Sequence, residues 1–211
     1  PGEALMDAAA WYLQLDDFNP DQVLENRLYT ARPAGPAQDQ FLDSLAAGTP
    51  APGGGSASAY AGAMAAGLVA MVARLTTGKK KYAEVEGQMT EIVNQADRLR
   101  LDLNTAVDRD ASAFEAILAA FKLPRETEDQ QSARELAIEQ ATLNAIAVPL
   151  QVAEMAVKVM SLAERCAALG NINAISDAAA AGALAGAALT GAGYNVRINV
   201  NSLTDKLAGD A

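Results

Sequence analysis

Histidine is absent from the 211-residue sequence, and cysteine occurs once, as Cys166. Without imidazole, the usual metal sites and His-based catalytic triads lose their main ligand and base, so carboxylate, Lys or Tyr side chains must carry any proton transfer. A single cysteine excludes an intramolecular disulfide framework and fits a reducing compartment, which predicts a cytoplasmic protein. Cys166 lies in a helical run, where an inert buried thiol is favoured over a nucleophile.

Aromatic residues are also scarce, at 5% of the chain, although hydrophobic residues reach 51%. The apolar content therefore comes from Ala, Leu, Val and Ile, and alanine is the strongest helix former. Clusters of β-branched and aromatic residues that favour strands are few. The composition predicts an all-α fold with a sizeable core.

Positive charge is limited, because 16 Lys and Arg residues face 26 Asp and Glu residues and leave a net charge of −10. Nucleic acids and anionic membranes both require a broad basic face on their partner. We therefore expect neither nucleic acid nor membrane as a partner. An anionic ligand would have to meet a local cluster of cations.

Two long apolar segments, residues 56–77 and 178–193, raise the question of membrane insertion. Both are built mainly of Ala and Gly rather than Leu, Ile and Phe, so their insertion energy would be poor. Gly182 and Gly186 lie four residues apart, a spacing that lets helix backbones approach closely. The segments predict the central helices of an elongated bundle, packed on all sides and forming a homodimer interface.

A linker with two prolines and a glycine, TARPAGPAQ, divides the chain. Residues 1–37 are predicted to be an appendage or the tail of a preceding domain, and residues 38–211 the main helical domain. The final segment, YNVRINVNSL, is assigned to a last helix or an extended docking segment. The periodicity predicts helices over 39–47, 56–77, 82–121, 127–169 with a kink or break before Pro149, and 173–189.

Three glycines and a serine, Gly53, Gly54, Gly55 and Ser56, stand at the start of the first apolar helix. Successive glycines expose backbone N–H groups, Ser56 can cap the helix, and the helix dipole adds positive potential. This pattern predicts a site for an anionic or carbonyl-bearing ligand. A flexible turn that lets the helix pack tightly is the alternative.

The sequence contains one run of three consecutive basic residues, Lys79, Lys80 and Lys81, and Tyr82 follows it directly. One interpretation is that the cations complement the dipole at the end of the preceding helix. The other is a docking point for a ligand that carries carboxylates, with Tyr82 offering a stacking or hydrogen-bonding face. Both interpretations stay open at this point.

Asp110 follows Asp108 within an otherwise apolar helix and shares a face with Leu103, Val107 and Phe114. A partly buried carboxylate on such a face is a candidate proton carrier, and a solvated acid is the alternative.

A second cluster of polar residues stands at a later helix start, where helix capping explains only some of these residues. This cluster contains Asn171, Asn173, Ser176 and Asp177, and the amides of Asn195 and Asn199 could add to one face if their segment is helical.

Five segments, which occur in the same order as in the family, resemble the cyclodeaminase/cyclohydrolase family. This family comprises the C-terminal half of formimidoyltransferase-cyclodeaminase and free-standing bacterial relatives. The resemblance spans about residues 39–205. The segment EALMDAAAWYLQLDDFNPDQVLENRL also resembles the end of a formimidoyltransferase, which implies covalent fusion to that domain. The five segments are TPAPGGGSASAYAGAMAAGLVAMV, GKKKY, DRDASAFEAILAAFKLP, AVPLQVAE and GNINAISDAAAAGALAGAALTGAGYNVRIN.

The resemblance implies an all-α homodimer that acts on a tetrahydrofolate derivative and needs neither a metal nor a bound cofactor. A cyclodeaminase of this family closes 5-formimino-tetrahydrofolate to 5,10-methenyl-tetrahydrofolate and releases ammonia, a step of histidine degradation. A cyclohydrolase instead adds water to the methenyl compound. The transferase-like tail favours the cyclodeaminase, with the cyclohydrolase as an alternative and a non-catalytic helical scaffold as an alternative of another class.

The site residues follow from combining the motifs with this resemblance. Asp110 or Asp177 is predicted to carry the proton, and Lys79 and Lys80 to hold the glutamate tail. The Gly53–Ser56 turn and the cluster of residues 171–177 are predicted to border one folate groove, within a chain or between subunits. Tyr82, Asn195 and Asn199 complete the predicted substrate-binding set.

Overall fold

The computed structural model describes Tyr12 and residues 37–203, and the chain divides into two compact units, residues 1–47 and 48–211. In the first unit, α1 spans Ala37–Ala46. The predicted transferase-like tail lies almost entirely outside the described residues. The described part of the second unit contains helices and no strand: α2 (Gly54–Thr76), α3 (Glu86–Phe121), α4 (Glu128–Leu169) and α5 (Ile175–Asn201), with 3-10 turns at Lys80–Val85 and Ile172–Ala174.

The four long helices of the second unit pack as an up-and-down bundle. Hydrogen bonds between helix ends show that α2 runs antiparallel to both α3 and α5: Ser56 meets Asp110, and Asn171, just before α5, meets Thr76. Alanine supplies most of the buried apolar side chains, which lets the helix backbones come close together. The predicted all-α class is confirmed, and YNVRINVNSL is helical up to Asn201.

Of the kink or break predicted before Pro149, the break is wrong, because α4 continues through this position from Glu128 to Leu169. Proline cannot donate to the carbonyl four residues earlier, which here belongs to Ala145. That carbonyl oxygen instead accepts a hydrogen bond of 2.9 Å from the side-chain amide of Asn199 on α5. A donor from a neighbouring helix thus replaces the missing backbone bond.

By length and composition alone, three helical stretches could cross a membrane: Gly54–Thr76, Glu128–Leu169 and Ile172–Asn201. The bundle buries 61%, 39% and 28% of their most apolar windows, respectively. Within one chain, α2 therefore fits the prediction of a central helix, whereas α5 does not. The exposed side chains of α5 include Ile175, Tyr194 and Ile198, so the predicted packing of α5 on all sides requires a second subunit.

Candidate active site

The glycine-rich turn leads into α2, and the N-terminus of this helix has no side-chain cap. Gly53 is the N-cap residue in an extended conformation, and no side chain accepts from the first N–H groups of the helix. The predicted capping role of Ser56 is wrong, because Ser56 lies inside the first turn and is fully buried. The uncapped N–H groups and the helix dipole leave a positive potential at this end of α2.

Asp110 lies directly against this turn. The Ser56 hydroxyl is 2.8 Å from Asp110 Oδ2 and 3.1 Å from the Val107 carbonyl oxygen, so it can donate to either acceptor. Gly55 is required for this approach, since a Cβ added there would lie only 2.6 Å from Asp110 Cγ. The half-buried carboxylate is thereby held next to the helix N-terminus. A carboxylate in this position is stabilised as an acceptor and can exchange a proton with a bound molecule.

A cavity of about 400 Å³ opens beside Asp110, within the size range of small-molecule sites. One side is apolar and includes the aromatic residues Phe114 and Phe121, seven apart on α3. The polar part of the lining includes the glycine turn, Asp110, Asn195 and Asn199. The complete lining is Pro50, Ala51, Gly53, Gly54, Gly55, Asp110, Phe114, Ile117, Phe121, Ile138, Thr142, Ala145, Asn195, Ile198, Asn199 and Ser202.

Two asparagines of α5, Asn195 and Asn199, line the cavity, and the side-chain amide nitrogen of each is bonded to a backbone carbonyl. Asn195 Nδ2 donates to the Gly191 carbonyl oxygen, and Asn199 Nδ2 donates to that of Ala145, both at 2.9 Å. Because the nitrogens face these carbonyls, each amide oxygen is turned away from them. Asn195 also contacts the glycine turn, since a Cβ on Gly54 would lie 3.4 Å from its Nδ2. The polar wall therefore combines backbone donors with carboxylate and amide acceptors.

The aromatic wall is held from outside the cavity by Arg134. Its Nε and Nη2 donate to the Phe121 carbonyl oxygen at 3.3 and 3.2 Å, and its guanidinium lies 5.5 Å from the centre of the Phe121 ring. These contacts fix the end of α3, where backbone carbonyls lack helical donors. Phe121 keeps 52% of its surface exposed and lines the cavity, so part of its ring can contact a ligand.

The second predicted cluster, residues 171–177, lies at the other end of the bundle, where its hydrogen bonds hold two helix ends together. The Asn171 N–H donates to Thr76 Oγ1 at 2.9 Å, and its side-chain amide donates to the Leu75 carbonyl oxygen at 3.1 Å. Its Oδ1 accepts a hydrogen bond from the Asn173 N–H, so Asn171 caps the 3-10 turn Ile172–Ala174. Asn171 is 6% exposed, and these bonds tie the end of α2 to the start of α5. They leave it little capacity to bind substrate.

Tyr82 belongs to the same end. Its hydroxyl accepts the Ile172 N–H at 3.1 Å, and this bond lowers the pKa of Tyr82, with the charges of Lys81 and Lys79 acting in the same direction. Lys81 Nζ lies 5.4 Å from the ring centre. Lys79 and Lys80 are exposed, so a basic surface flanks the turn that leads into α5.

One chain does not bring the two predicted halves of the folate groove together. They lie at opposite ends of α2, whose 23 residues span about 34 Å at the helical rise per residue. The predicted groove therefore cannot form within a single chain. Asp110, Asn195 and Asn199 join the glycine turn, whereas the remaining predicted site residues gather at the far end: Lys79, Lys80, Tyr82, Asn171, Asn173, Ser176 and Asp177.

Sequence reasoning missed Phe121, Arg134 and the link between Pro149 and Asn199. The spacing of Phe114 and Phe121 placed both on one helical face, but only the bundle reveals that this face lines a cavity. A proline inside a long helical pattern signals a carbonyl that needs another donor. The sequence does not identify that donor, because Ala145 and Asn199 are 54 residues apart.

Two further features bear on the chemistry. Cys166 is buried, its Sγ lies 3.8 Å from the Val69 carbonyl oxygen, and burial raises its pKa to about 11. The thiol is therefore protonated at neutral pH and is not a nucleophile, as the sequence predicts. Within residues 37–203, no cluster of three acidic or cysteine side chains could hold a metal ion.

The family model for formiminotransferase-cyclodeaminase matches residues 37–210. The chain belongs to this family. It is 42% identical over 168 residues to a methenyltetrahydrofolate cyclohydrolase from Methylorubrum extorquens, covering 80% of this chain and 81% of that protein. It is 30% identical to the rat formimidoyltransferase-cyclodeaminase, in a match covering 97% of this chain but 43% of the rat protein's length.

A crystal structure of formiminotetrahydrofolate cyclodeaminase from Thermotoga maritima has the same fold. The TM-score is 0.71 at 32% identity, and the match covers 80% of each chain. The relatives thus carry the names of two activities on folates, cyclohydrolase and cyclodeaminase. The predicted folate cyclodeaminase/cyclohydrolase family is confirmed.

Proposed function

We propose that this chain is a cytoplasmic formimidoyltetrahydrofolate cyclodeaminase, which closes 5-formimino-tetrahydrofolate to 5,10-methenyl-tetrahydrofolate and releases ammonia. The observation that carries this proposal is Asp110, held by Ser56 beside the uncapped start of α2 and facing a cavity of about 400 Å³. The match to the rat fusion enzyme covers 97% of the chain and so extends into the transferase-like tail before residue 37, which favours the cyclodeaminase.

The chemistry requires one group that moves a proton between two nitrogens. The formimino group reacts in its protonated form: N10 attacks the formimino carbon, and the carbon–nitrogen double bond opens as the new bond forms, which gives a tetrahedral carbon bearing a neutral NH₂ group. The Asp110 carboxylate takes the proton from N10 and passes it to the formimino nitrogen. The bond from carbon to that nitrogen then breaks, ammonia leaves, and the positive charge stays on the methenyl bridge. A nearby carboxylate also stabilises this cationic centre in the substrate and product.

The cavity walls suit the rest of the substrate. The ring systems of the folate are flat and can stack on Phe114 and Phe121, while the pteridine edge can bond to the amide acceptors of Asn195 and Asn199. The N–H groups of the glycine turn can donate to a carbonyl oxygen. Holding N10 and the formimino carbon in contact lowers the entropic cost of ring closure.

A methenyltetrahydrofolate cyclohydrolase is the second candidate, favoured by the 42% identity to the Methylorubrum enzyme. There, water attacks the methenyl carbon and Asp110 accepts one of its protons. A proton then moves from the new hydroxyl to N5 as the bond between carbon and N5 breaks, which gives the 10-formyl compound. The same cavity and the same carboxylate serve this reaction.

We expect measurable activity on at least one of two substrates supplied separately. 5-Formimino-tetrahydrofolate should yield ammonia and methenyl-tetrahydrofolate, which is followed by its absorbance. Methenyl-tetrahydrofolate should lose that absorbance if the chain is a cyclohydrolase, with the uncatalysed reaction measured in parallel. Inactivity on both substrates, together with no equilibrium binding of any reduced folate at millimolar concentration, would favour the non-catalytic scaffold.

A homodimer is the proposed assembly. The face of α5 carries exposed Ile175, Tyr194 and Ile198, and Gly182 and Gly186 have open space where a Cβ would stand. A second copy can bury such a face, and a two-fold axis perpendicular to α5 would bring opposite ends of the two α5 helices together. The basic end of one chain would then approach the cavity end of the other. This arrangement would restore, between subunits, the groove that one chain lacks.

We expect the purified chain to be a dimer by multi-angle light scattering at micromolar concentration. Ala183→Glu places a charge on the exposed face of α5 and should shift the species towards the monomer, because an unpaired charge is costly inside an apolar interface. Ala119→Glu, at an exposed position on α3, is the matched control and should leave the mass unchanged. A monomeric parent chain would contradict the proposal.

A further inference from the structure

Pro149 leaves a gap in the hydrogen bonding of α4 at the level of the cavity. Proline has no N–H, so the Ala145 carbonyl oxygen receives no bond from the residue four positions later. Pro149 is fully buried and Ala145 is 6% exposed, so water cannot readily fill this gap. Ala145 lines the cavity, whereas Pro149 does not. The proline thus acts on the cavity only through the carbonyl that it frees.

Asn199 is the group that fills the gap. Its Nδ2 donates to the Ala145 carbonyl oxygen at 2.9 Å, and the side chain is partly buried. A carbonyl can only accept, so the NH₂ side of the amide must face Ala145. This requirement fixes the amide orientation, which is otherwise ambiguous for an asparagine. Oδ1 is consequently turned away from Ala145, on a side chain that lines the cavity.

We propose that Pro149 is a positioning residue for substrate binding: it frees the Ala145 carbonyl, which orients the Asn199 amide so that Oδ1 accepts a hydrogen bond from the substrate. The substrate group that fits is an N–H donor on a flat heterocycle, such as the amino and ring N–H edge of a pteridine. This inference rests on the proposed folate site. It assigns Pro149 and Asn199 to binding and leaves proton transfer with Asp110.

The test measures equilibrium binding of tetrahydrofolate to the full chain and to Asn199→Ala, Pro149→Ala and the double variant. Losing one neutral hydrogen bond costs about five-fold to ten-fold in affinity, so Asn199→Ala should raise Kd by about that factor. Pro149→Ala restores a backbone N–H that competes for the Ala145 carbonyl, and it should raise Kd about three-fold. With saturating substrate, any fall in kcat should be smaller than the rise in Kd in both single variants, a split that a loss of folded protein would not give.

The double variant decides whether Pro149 acts through Asn199. We expect its Kd to equal that of Asn199→Ala, because without the amide there is nothing for the proline to orient. Multiplying effects, or an unchanged Kd in Pro149→Ala, would overturn the positioning role. A parent chain that binds no tetrahydrofolate would instead remove the proposed function, so the two failures are distinguishable.

Asn199→Asp provides an independent variant should Pro149→Ala fold poorly, with folding checked by circular dichroism. Aspartate keeps the size and the acceptor oxygens but cannot donate to the Ala145 carbonyl when ionised. We expect it to weaken binding at least as much as Asn199→Ala. Binding equal to that of the parent chain would overturn the inference, because the donated bond would then be irrelevant. Asn144→Asp, exposed on α4 and outside this cavity, is the control.

Discussion

Replacing Asp110 by asparagine is expected to lower kcat by about 10²–10⁴-fold, the usual contribution of a positioned proton carrier. The asparagine side chain has nearly the same shape and can still accept from the Ser56 hydroxyl. It cannot take a proton from N10 or pass one to the leaving nitrogen. We therefore expect Kd for tetrahydrofolate to change much less than kcat, and steady-state kinetics together with equilibrium binding measure both.

Asp108→Asn is the matched control, because Asp108 lies two residues earlier on α3, is exposed and does not line this cavity. It should retain full turnover. Full activity of Asp110→Asn would contradict the assignment and would direct attention to Asp177 at the other end of the bundle. Full activity of the Asp177→Asn variant as well would remove both predicted proton carriers and leave the family membership unaffected.

Replacing Gly55 by alanine should cost both activity and stability. The new Cβ would collide with the Asp110 carboxylate, so either Asp110 or the start of α2 must move. We expect kcat to fall about 100-fold, since a displaced carboxylate loses its position relative to N10. Overpacking a buried site of this kind typically costs about 1–3 kcal/mol, which thermal or denaturant unfolding would detect.

Gly67→Ala in the same helix separates this collision from a general effect of removing glycine. A Cβ there would make an ordinary contact of 3.6 Å with Arg100 Cδ. Alanine is favoured over glycine in a helix interior by about 1 kcal/mol, so Gly67→Ala should be neutral or stabilising and fully active. If Gly55→Ala behaves like Gly67→Ala, the close approach of the turn to Asp110 has no role in catalysis.

Periodicity was sufficient to predict the helices and to place Asp110 on an inward face. The run of glycines predicted either a ligand site or a flexible turn, and the bundle brings that turn to Asp110. Both predictions depend on local spacing, which a sequence displays directly. The break offered as one alternative at Pro149 does not occur, because Asn199, the replacement donor for the Ala145 carbonyl, comes from another helix, which local spacing does not show.

The grouping of the polar clusters could not be read from the sequence. Asn171 and Asn199 are both asparagines near a helix end. Asn171 ties the end of α2 to the start of α5, whereas Asn199 lines the cavity. Which end of a bundle a residue occupies depends on helix direction and length. Short connections predict antiparallel neighbours, but only the assembled helices reveal that α2 separates the two clusters by about 34 Å.

The alanine-rich core has a consequence for how the bundle holds its shape. Alanine has no rotatable side chain to immobilise, so burying it carries no loss of side-chain conformational entropy. It also buries little apolar area per residue, so long helices such as α3 and α4, with 36 and 42 residues, are needed to accumulate enough contact. Such a core has few rotamers to rearrange, so a change in core packing must come from movement of whole helices against one another.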